Sequence, residues 1–192
     1  MICMQSLGFA DTNMRRALTL AAGILLAAGL TWRSAAVLAD AEPPPAPEIR
    51  VAKPAPAFVL KDTAGKDVKL SDFKGQALIV FFWATWDRPS QKQLAGLMDL
   101  QREYEKKGFS VIGISLDDQG PTVVKAYTDS SHLNFPVLMA DVTVVQGFGG
   151  LDAIPTLFVL EPHHNIISRH VGVTEKGVLE GELKAILNQV PK

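Results

Sequence analysis

The chain has 192 residues, which is enough for one domain of ordinary size. Its 19 lysines and arginines nearly balance 20 aspartates and glutamates, giving a formal net charge of −1. No dense basic block occurs, so the composition argues against binding to nucleic acid. The sequence contains one cysteine, Cys3, so no disulfide can form within the chain.

The first 41 residues have the composition of a secretory signal peptide. Arg15 and Arg16 precede an apolar stretch of 14 residues, 17–30, and small residues then lead to an A-x-A pattern at 39–41. This order is typical of a leader that is removed on export. A membrane anchor is the alternative, but a bilayer-spanning helix needs about 20 apolar residues. We therefore predict a cleaved signal peptide over 1–41 and a periplasmic or secreted protein that retains no thiol.

Proline dominates the segment that follows. Six prolines lie between Glu42 and Pro56. Proline at this density favours an extended, semi-rigid spacer from which no core can be built. We therefore predict a linker over 42–55 and a folded domain over 56–192.

The folded domain is predicted to be α/β. Two short segments, 58–60 and 67–70, flank a turn containing Gly65, which indicates a β-hairpin. The unbroken apolar run from Ala77 to Trp83 then predicts a strand buried on both faces. Further predicted elements alternate along the chain: a helix from Pro89 to about Lys107 with an apolar stripe at Leu94, Leu97, Leu100 and Tyr104, a strand at 110–116, a helix beginning at Pro121, an extended piece at 136–139, a short helix at 142–148, strands at 153–160 and 166–171, and a last helix at 174–190.

The turn after the central strand carries the most specific motif. Its sequence is Trp83-Ala84-Thr85-Trp86-Asp87-Arg88-Pro89-Ser90. The motif resembles the Trp-Cys-X-Pro-Cys redox site of the TlpA-like and ResA-like thiol-disulfide oxidoreductases in the thioredoxin superfamily. The resemblance covers about 56–190 and implies a thioredoxin fold, with a central mixed sheet flanked by helices and an N-terminal β-hairpin addition. It also implies that Ile154-Pro155 is a cis peptide bond facing the motif.

Both redox cysteines of the family are replaced here. Asp87 stands at the attacking position and Ser90 at the resolving position, and neither side chain can exchange with a disulfide. Gln93 stands where relatives often carry a glutamate that assists proton transfer, and an amide does not titrate. We predict that Asp87 instead caps the following helix by accepting a hydrogen bond from the Ser90 N–H. The motif therefore predicts no catalytic residue.

The surface around the motif remains a candidate binding site. By the resemblance, the backbone at Ile154 pairs with an extended peptide, and Trp86 and Pro89 form an apolar shelf. The complete set of predicted binding residues is Trp86, Asp87, Arg88, Pro89, Ser90, Ile154 and Pro155. We predict a non-catalytic module that binds a protein or extended peptide of the cell envelope, without a cofactor or nucleic acid. The alternative is a thiol-disulfide oxidoreductase, in redox homeostasis or cytochrome maturation, that acts only with thiols supplied by a partner. The membrane becomes a partner only if the signal segment is retained.

Two further constellations receive simpler interpretations. His163, His164 and His170 lie in or near a predicted turn without cysteine or dense carboxylate partners, so we predict no metal site. Asp87 with Ser90 lacks a nearby histidine to serve as the base of a hydrolase.

Three aspartates outside the motif receive no functional role. Asp117, Asp118 and Asp141 follow predicted strands, and we expect solvated strand-end or loop residues at all three positions.

Overall fold

The computed structural model describes residues 53–189. From Val59 onward, the strands and helices follow the predicted order. The strands are β1 (Lys53–Pro54), β2 (Val59–Lys61), β3 (Asp67–Lys69), β4 (Ala77–Trp83), β5 (Phe109–Ser115), β6 (Val137–Met139), β7 (Thr156–Leu160) and β8 (Asn165–Val171). The helices are α1 (Arg88–Tyr104), α2 (Pro121–Ser130), α3 (Val142–Gly147) and α4 (Lys176–Gln189). Val190, predicted to end the last helix, lies outside the described residues.

Six strands form one mixed sheet in the order β1-β8-β7-β4-β5-β6. β4 is parallel to β5 and antiparallel to β7, and β5 is parallel to β6. All of β4 is buried, as its unbroken apolar sequence predicts. The predicted α/β class with a central mixed sheet flanked by helices is therefore confirmed.

Alternating side chains of β4 serve two cores on opposite faces of the sheet. On one face, Ile79, Phe81 and Trp83 pack with the apolar sides of α1 and α4, including the predicted α1 stripe. On the other face, Val80 and Phe82 pack with residues of the hairpin and of α3. Burying each of these side chains contributes about 1.5–3 kcal/mol to folding. β4 is thus held from both sides, and its carboxyl end is a rigid platform.

The N-terminal hairpin forms as predicted. β2 and β3 pair antiparallel, and Gly65 adopts the left-handed conformation in the turn, with φ of +84°. The Oδ1 atom of Asp62 accepts hydrogen bonds from the backbone N–H groups of Ala64 and Lys66. A carboxylate that organises its own turn in this way is common at such positions.

Strand β1 lies within the range predicted to be a linker. Lys53 pairs with Ile166 and Pro54 with Asn165 at the edge of the sheet. Residues 42–52 of that range, and the predicted signal peptide, lie outside the described residues. Between Lys53 and Gln189, no helix is both long and apolar enough to cross a membrane.

Candidate functional site

The motif lies at the carboxyl end of β4, beside the start of β7. Trp83 ends β4, residues 84–87 form a turn, and α1 begins at Arg88. The Ile154-Pro155 peptide bond is cis, as the resemblance implies. It directly precedes β7, whose first residue Thr156 pairs with Phe82. Neighbouring strands are about 4.8 Å apart, so the fold brings these two predicted segments together.

Asp87 is the N-cap of α1. Its backbone is extended, with φ of −88° and ψ of 111°, and its Oδ2 atom accepts a hydrogen bond of 2.7 Å from the Ser90 N–H. Pro89 falls within the first turn, where a missing N–H breaks no helical bond. The predicted cap is confirmed. The helix N-terminus also favours the negative charge of the carboxylate.

Ser90 lies beneath the surface. The side chain is fully buried, and its Oγ atom has no hydrogen-bond partner among residues 53–189. A hydroxyl in this position can neither meet an outside ligand nor be activated by a neighbouring base. The structure thus separates Ser90 from the exposed part of the predicted binding set.

The exposed part of the set is centred on Trp86. Its side chain is 60% exposed, which is unusual for a large aromatic residue. Arg88 and Pro89 are also exposed, Asp87 and Ile154 are half-buried, and Pro155 is buried. The predicted apolar shelf of Trp86 and Pro89 therefore faces solvent.

Asp117 is buried and holds the motif turn through hydrogen bonds to Thr85. The prediction that it is a solvated residue is therefore wrong. Asp117 is only 6% exposed. Its carboxylate accepts hydrogen bonds from the Thr85 N–H (2.9 Å), from the Thr85 hydroxyl and from the Ser115 hydroxyl (2.7 Å). These bonds satisfy a carboxylate that would otherwise be costly to bury. The available sequence signal was the position of Asp117 directly after a buried strand, where the parallel neighbour also carries the site.

Asp118 and Asp141, the other two aspartates that were predicted to be solvated, are exposed. Asp118 has the expected solvated position. Asp141 has an additional role as the N-cap of α3, because its Oδ1 atom accepts a hydrogen bond of 2.6 Å from the Val144 N–H. A polar residue directly before a short predicted helix is the signal that indicates this role.

The connection between β8 and α4, residues 172–175, borders the site. This position was not predicted from the sequence. The Gly172 N–H donates to the Pro155 carbonyl at 2.7 Å. The Thr174 N–H donates to Oε1 of the buried Gln93 at 2.7 Å. Gln93 therefore has a structural role in holding this connection against α1. Val171 at the end of β8 and Val173 in the connection are 51% and 53% exposed, and no sequence pattern distinguishes them from core valines.

The three histidines singled out in the sequence make separate contacts. His163 is exposed, and the ring Nε2 of His164 lies 3.1 Å from the Phe73 carbonyl oxygen. His170 Nε2 lies 3.1 Å from Glu182 Oε2. Within residues 53–189, no group of three or more histidine, cysteine, aspartate or glutamate side chains is arranged to hold a metal ion.

Glu182 is a half-buried carboxylate that joins α4 to β8. Burial acts to raise the pKa of Glu182, but hydrogen bonds from His170 and from the Ser168 hydroxyl outweigh it and hold the pKa below its ordinary value. The Ser168 bond is 2.6 Å long. Because serine and glutamate both contact Nε2 of the same imidazole, the three groups form a structural cluster without the geometry of a catalytic triad.

Comparisons with known proteins agree with this architecture. A family model described as the AhpC/TSA family matches residues 51–169. The thiol-disulfide oxidoreductase ResA of Bacillus thuringiensis (strain Al Hakam) is 31% identical over 139 residues, which cover 72% of this chain and 80% of the relative. Thioredoxin-like protein YneN of Bacillus subtilis (strain 168) is 29% identical over 136 residues, 70% of this chain and 79% of the relative.

Solved structures show the same similarity. A putative thiol:disulfide interchange protein DsbE from Chlorobium tepidum superposes with a TM-score of 0.66 at 27% identity, covering 72% of this chain and 99% of the other. A thioredoxin family protein from Chlorobium tepidum TLS gives the same TM-score at 30% identity, over 72% and 98% of the two chains. The predicted thioredoxin fold is therefore confirmed.

Proposed function

Because this chain belongs to the AhpC/TSA family and to its ResA-related thiol-disulfide oxidoreductases, we propose that it retains the binding surface of that family without the redox chemistry. In this function it holds an extended peptide, or a segment of a protein, in the cell envelope. The envelope location rests on the predicted signal peptide over 1–41.

The observation that carries the proposal is the state of Asp87 and Ser90. Asp87 is engaged as a helix cap through its bond to the Ser90 N–H, and Ser90 is buried with no hydrogen-bond partner among the described residues. Disulfide exchange requires a thiolate that attacks sulfur. Within residues 53–189 the sequence offers no thiol at all. At the position of the family's nucleophile, Asp87 has a structural role as a helix cap. The neighbouring side chains of Trp86, Arg88 and Pro89 remain exposed.

Binding would use two kinds of contact at this surface. The backbone at Ile154, beside Pro155, is placed to pair with an extended peptide, and main-chain pairing supplies affinity with little dependence on sequence. The exposed side chain of Trp86, with Pro89, supplies apolar area that selects among peptides. Large aromatic residues of this kind commonly dominate the energy of an interface.

A second function has the family relationship in its favour. As a member of a thiol-disulfide oxidoreductase family, the protein could take part in redox reactions for which a partner supplies both thiols. This alternative requires cysteines in the bound protein. Binding of cysteine-free peptides therefore separates the two functions.

The test is selection from a displayed library of cysteine-free peptides, followed by measurement of dissociation constants by fluorescence anisotropy. Trp86→Ala should weaken binding by about 2 kcal/mol, roughly 30-fold. Its matched control is Val142→Ala, which removes an apolar side chain that is 71% exposed at the start of α3, the helix that follows the edge strand β6. The control should bind as the wild type does. Equal binding by Trp86→Ala would show that this surface is not the binding site. A cysteine-free library that yields no binder would favour the second function.

A further inference from the structure

The β8–α4 connection, residues 172–175, lies beside the site without a buried side chain of its own. Gly172 and Thr174 are half-buried, and Val173 and Glu175 are exposed. Burial of apolar area therefore contributes little to holding the connection in place, and segments of this kind open more readily than the core. The hydrogen bonds of the connection largely determine where it lies.

Two hydrogen bonds from the connection reach two different elements of the site. The Gly172 N–H donates to the Pro155 carbonyl at 2.7 Å, which continues the β7–β8 pairing one residue beyond Thr156. The Thr174 N–H donates to Oε1 of Gln93 on α1 at 2.7 Å. Because only one residue separates the two donors, the bond at Thr174 restricts the movement of Gly172 away from Pro155.

The Pro155 carbonyl is the group through which the connection acts on the backbone proposed to pair with a peptide. Proline has no N–H, so its carbonyl is its only main-chain hydrogen-bonding group. Ile154 directly precedes Pro155 and lies outside β7, which begins at Thr156. Holding the Pro155 carbonyl therefore restricts the backbone of Ile154. A backbone that is ordered before binding loses less conformational entropy when a peptide pairs with it.

Gln93 is well placed to hold the connection. Its side chain is only 2% exposed, and the orientation of its amide is defined because only Oε1 can accept the Thr174 N–H. Close packing continues one turn further along α1. A Cβ atom added to Gly96 would lie 3.5 Å from the Cβ of Lys176, the first residue of α4. Successive turns of α1 therefore meet the connection and the start of α4.

We propose that Gln93 is a positioning residue of the site. By holding Thr174, it keeps the bond between Gly172 and Pro155 formed and the Ile154 backbone ordered for pairing with a peptide. The inference rests on the proposed function, because it concerns the same peptide surface. Gln93 is too deeply buried to contact a peptide itself, so its contribution to affinity is indirect and depends on its acceptor oxygen.

Hydrogen exchange measured by NMR tests the positioning. Gln93→Met keeps the length of the side chain and removes the acceptor. Gln101→Met is the matched control, because Gln101 is also buried on α1 and its Oε1 accepts a hydrogen bond of 2.7 Å from the Val111 N–H. The Gly172 N–H should exchange about tenfold faster in Gln93→Met than in Gln101→Met. Equal exchange rates at Gly172 in these two variants would overturn the proposal.

Two further substitutions separate the acceptor oxygen from the rest of the side chain. Gln93→Asn keeps the amide but shortens the side chain by one methylene, so the Gly172 N–H should exchange as fast as in Gln93→Met. Gln93→Glu keeps an acceptor oxygen at the same distance along the side chain and should restore slow exchange. Fast exchange in Gln93→Glu, equal to that in Gln93→Met, would overturn the role assigned to the acceptor.

Peptide binding separates this inference from the proposed function. A peptide selected from the cysteine-free library should bind Gln93→Met at least about threefold more weakly than Gln101→Met, whereas Gln93→Glu should bind as the wild type does. Faster exchange at Gly172 with unchanged binding, while Trp86→Ala still weakens binding, would overturn the inference alone. Faster exchange at Gly172 in a protein whose wild type binds no peptide would support the positioning role and overturn the proposed function.

Discussion

The site has an exposed rim and a buried floor, and the two replaced cysteine positions fall one in each. We define the rim as Trp86, Asp87, Arg88 and Pro89, and the floor as Ser90, Gln93 and Asp117. In the rim, Asp87 has a hydrogen-bond partner, and its charge suits the helix N-terminus. In the floor, Gln93 and Asp117 are satisfied, whereas the Ser90 hydroxyl has no partner among the described residues. The residue that replaces the first cysteine therefore has its polar side chain hydrogen-bonded, whereas the residue that replaces the second has a buried hydroxyl without a partner among the described residues.

The largest effect is expected for Asp117, the centre of the floor. Asp117→Ala leaves the Thr85 N–H and the Thr85 and Ser115 hydroxyls without their acceptor, and each such buried group costs about 1–3 kcal/mol. We expect a loss of about 3 kcal/mol in the free energy of unfolding, measured in urea at pH 7. Asp118→Ala is the matched control, since its side chain is exposed, and it should change stability by less than about 0.5 kcal/mol. A loss equal to that of the control would mean that the floor does not hold the turn.

The next effect belongs to the rim. Asp87→Ala removes the cap of α1 and should cost about 1 kcal/mol of unfolding free energy at pH 7. Asp87→Asn should cost less, because an amide oxygen can accept the same bond from the Ser90 N–H. Thermal melts of the three proteins give the ranking. An unchanged melting temperature for Asp87→Ala would show that the cap contributes nothing to stability.

A change of opposite sign is expected at Ser90. Ser90→Ala removes a buried hydroxyl that has no protein partner, so it should leave stability unchanged or raise it by up to about 1 kcal/mol. Ser115→Ala is the matched control, because the Ser115 hydroxyl donates to Asp117, and this variant should lose stability. Urea unfolding of both variants tests the contrast. Destabilisation by Ser90→Ala as large as that of the control would show that the hydroxyl has a partner after all.

The smallest effect is expected for Glu182, which lies outside the site and should make the stability of the fold depend on pH. The pKa of Glu182 is lowered in the folded protein. A lowered carboxyl pKa stabilises the fold above the unfolded value of about 4.3 and ceases to do so as the pH falls through the folded value. The stability difference between wild type and Glu182→Gln should therefore shrink on acidification below pH 5. Parallel unfolding curves of the two proteins between pH 7 and pH 3 would contradict this assignment.

The sequence predicts the rim better than the floor, and the reason is the range of the interactions. The burial of β4 is indicated by its own unbroken apolar sequence, and the cap at Asp87 depends on a backbone N–H three residues away, so local pattern and helix chemistry are sufficient to predict them. The contact of Asp117 with Thr85 spans 32 positions, and that of Gln93 with Thr174 spans 81. Neither contact can be recognised until the parallel pairing of β4 with β5 and the path of the β8–α4 connection are known.

The pairing of β1 was missed for a related reason. Prolines at 54 and 56 resemble the prolines before them in the sequence, so local composition placed the whole stretch in one linker. Pro54 is tolerated because it lies in an edge strand, where one missing N–H leaves the rest of the sheet intact. Composition alone does not distinguish such an edge position from a spacer.

A carboxylate in place of a thiol at position 87 also changes how a bound peptide would dissociate from the protein. In an enzyme that forms mixed disulfides, sulfur exchange both locks and releases the bound protein. Here a bound peptide would leave by thermal dissociation alone, so its residence time is the reciprocal of a single rate constant. With an association rate constant of about 10⁶ M⁻¹s⁻¹, a micromolar complex lasts about one second and a nanomolar complex about a quarter of an hour. That lifetime would be indifferent to the redox potential of the surroundings.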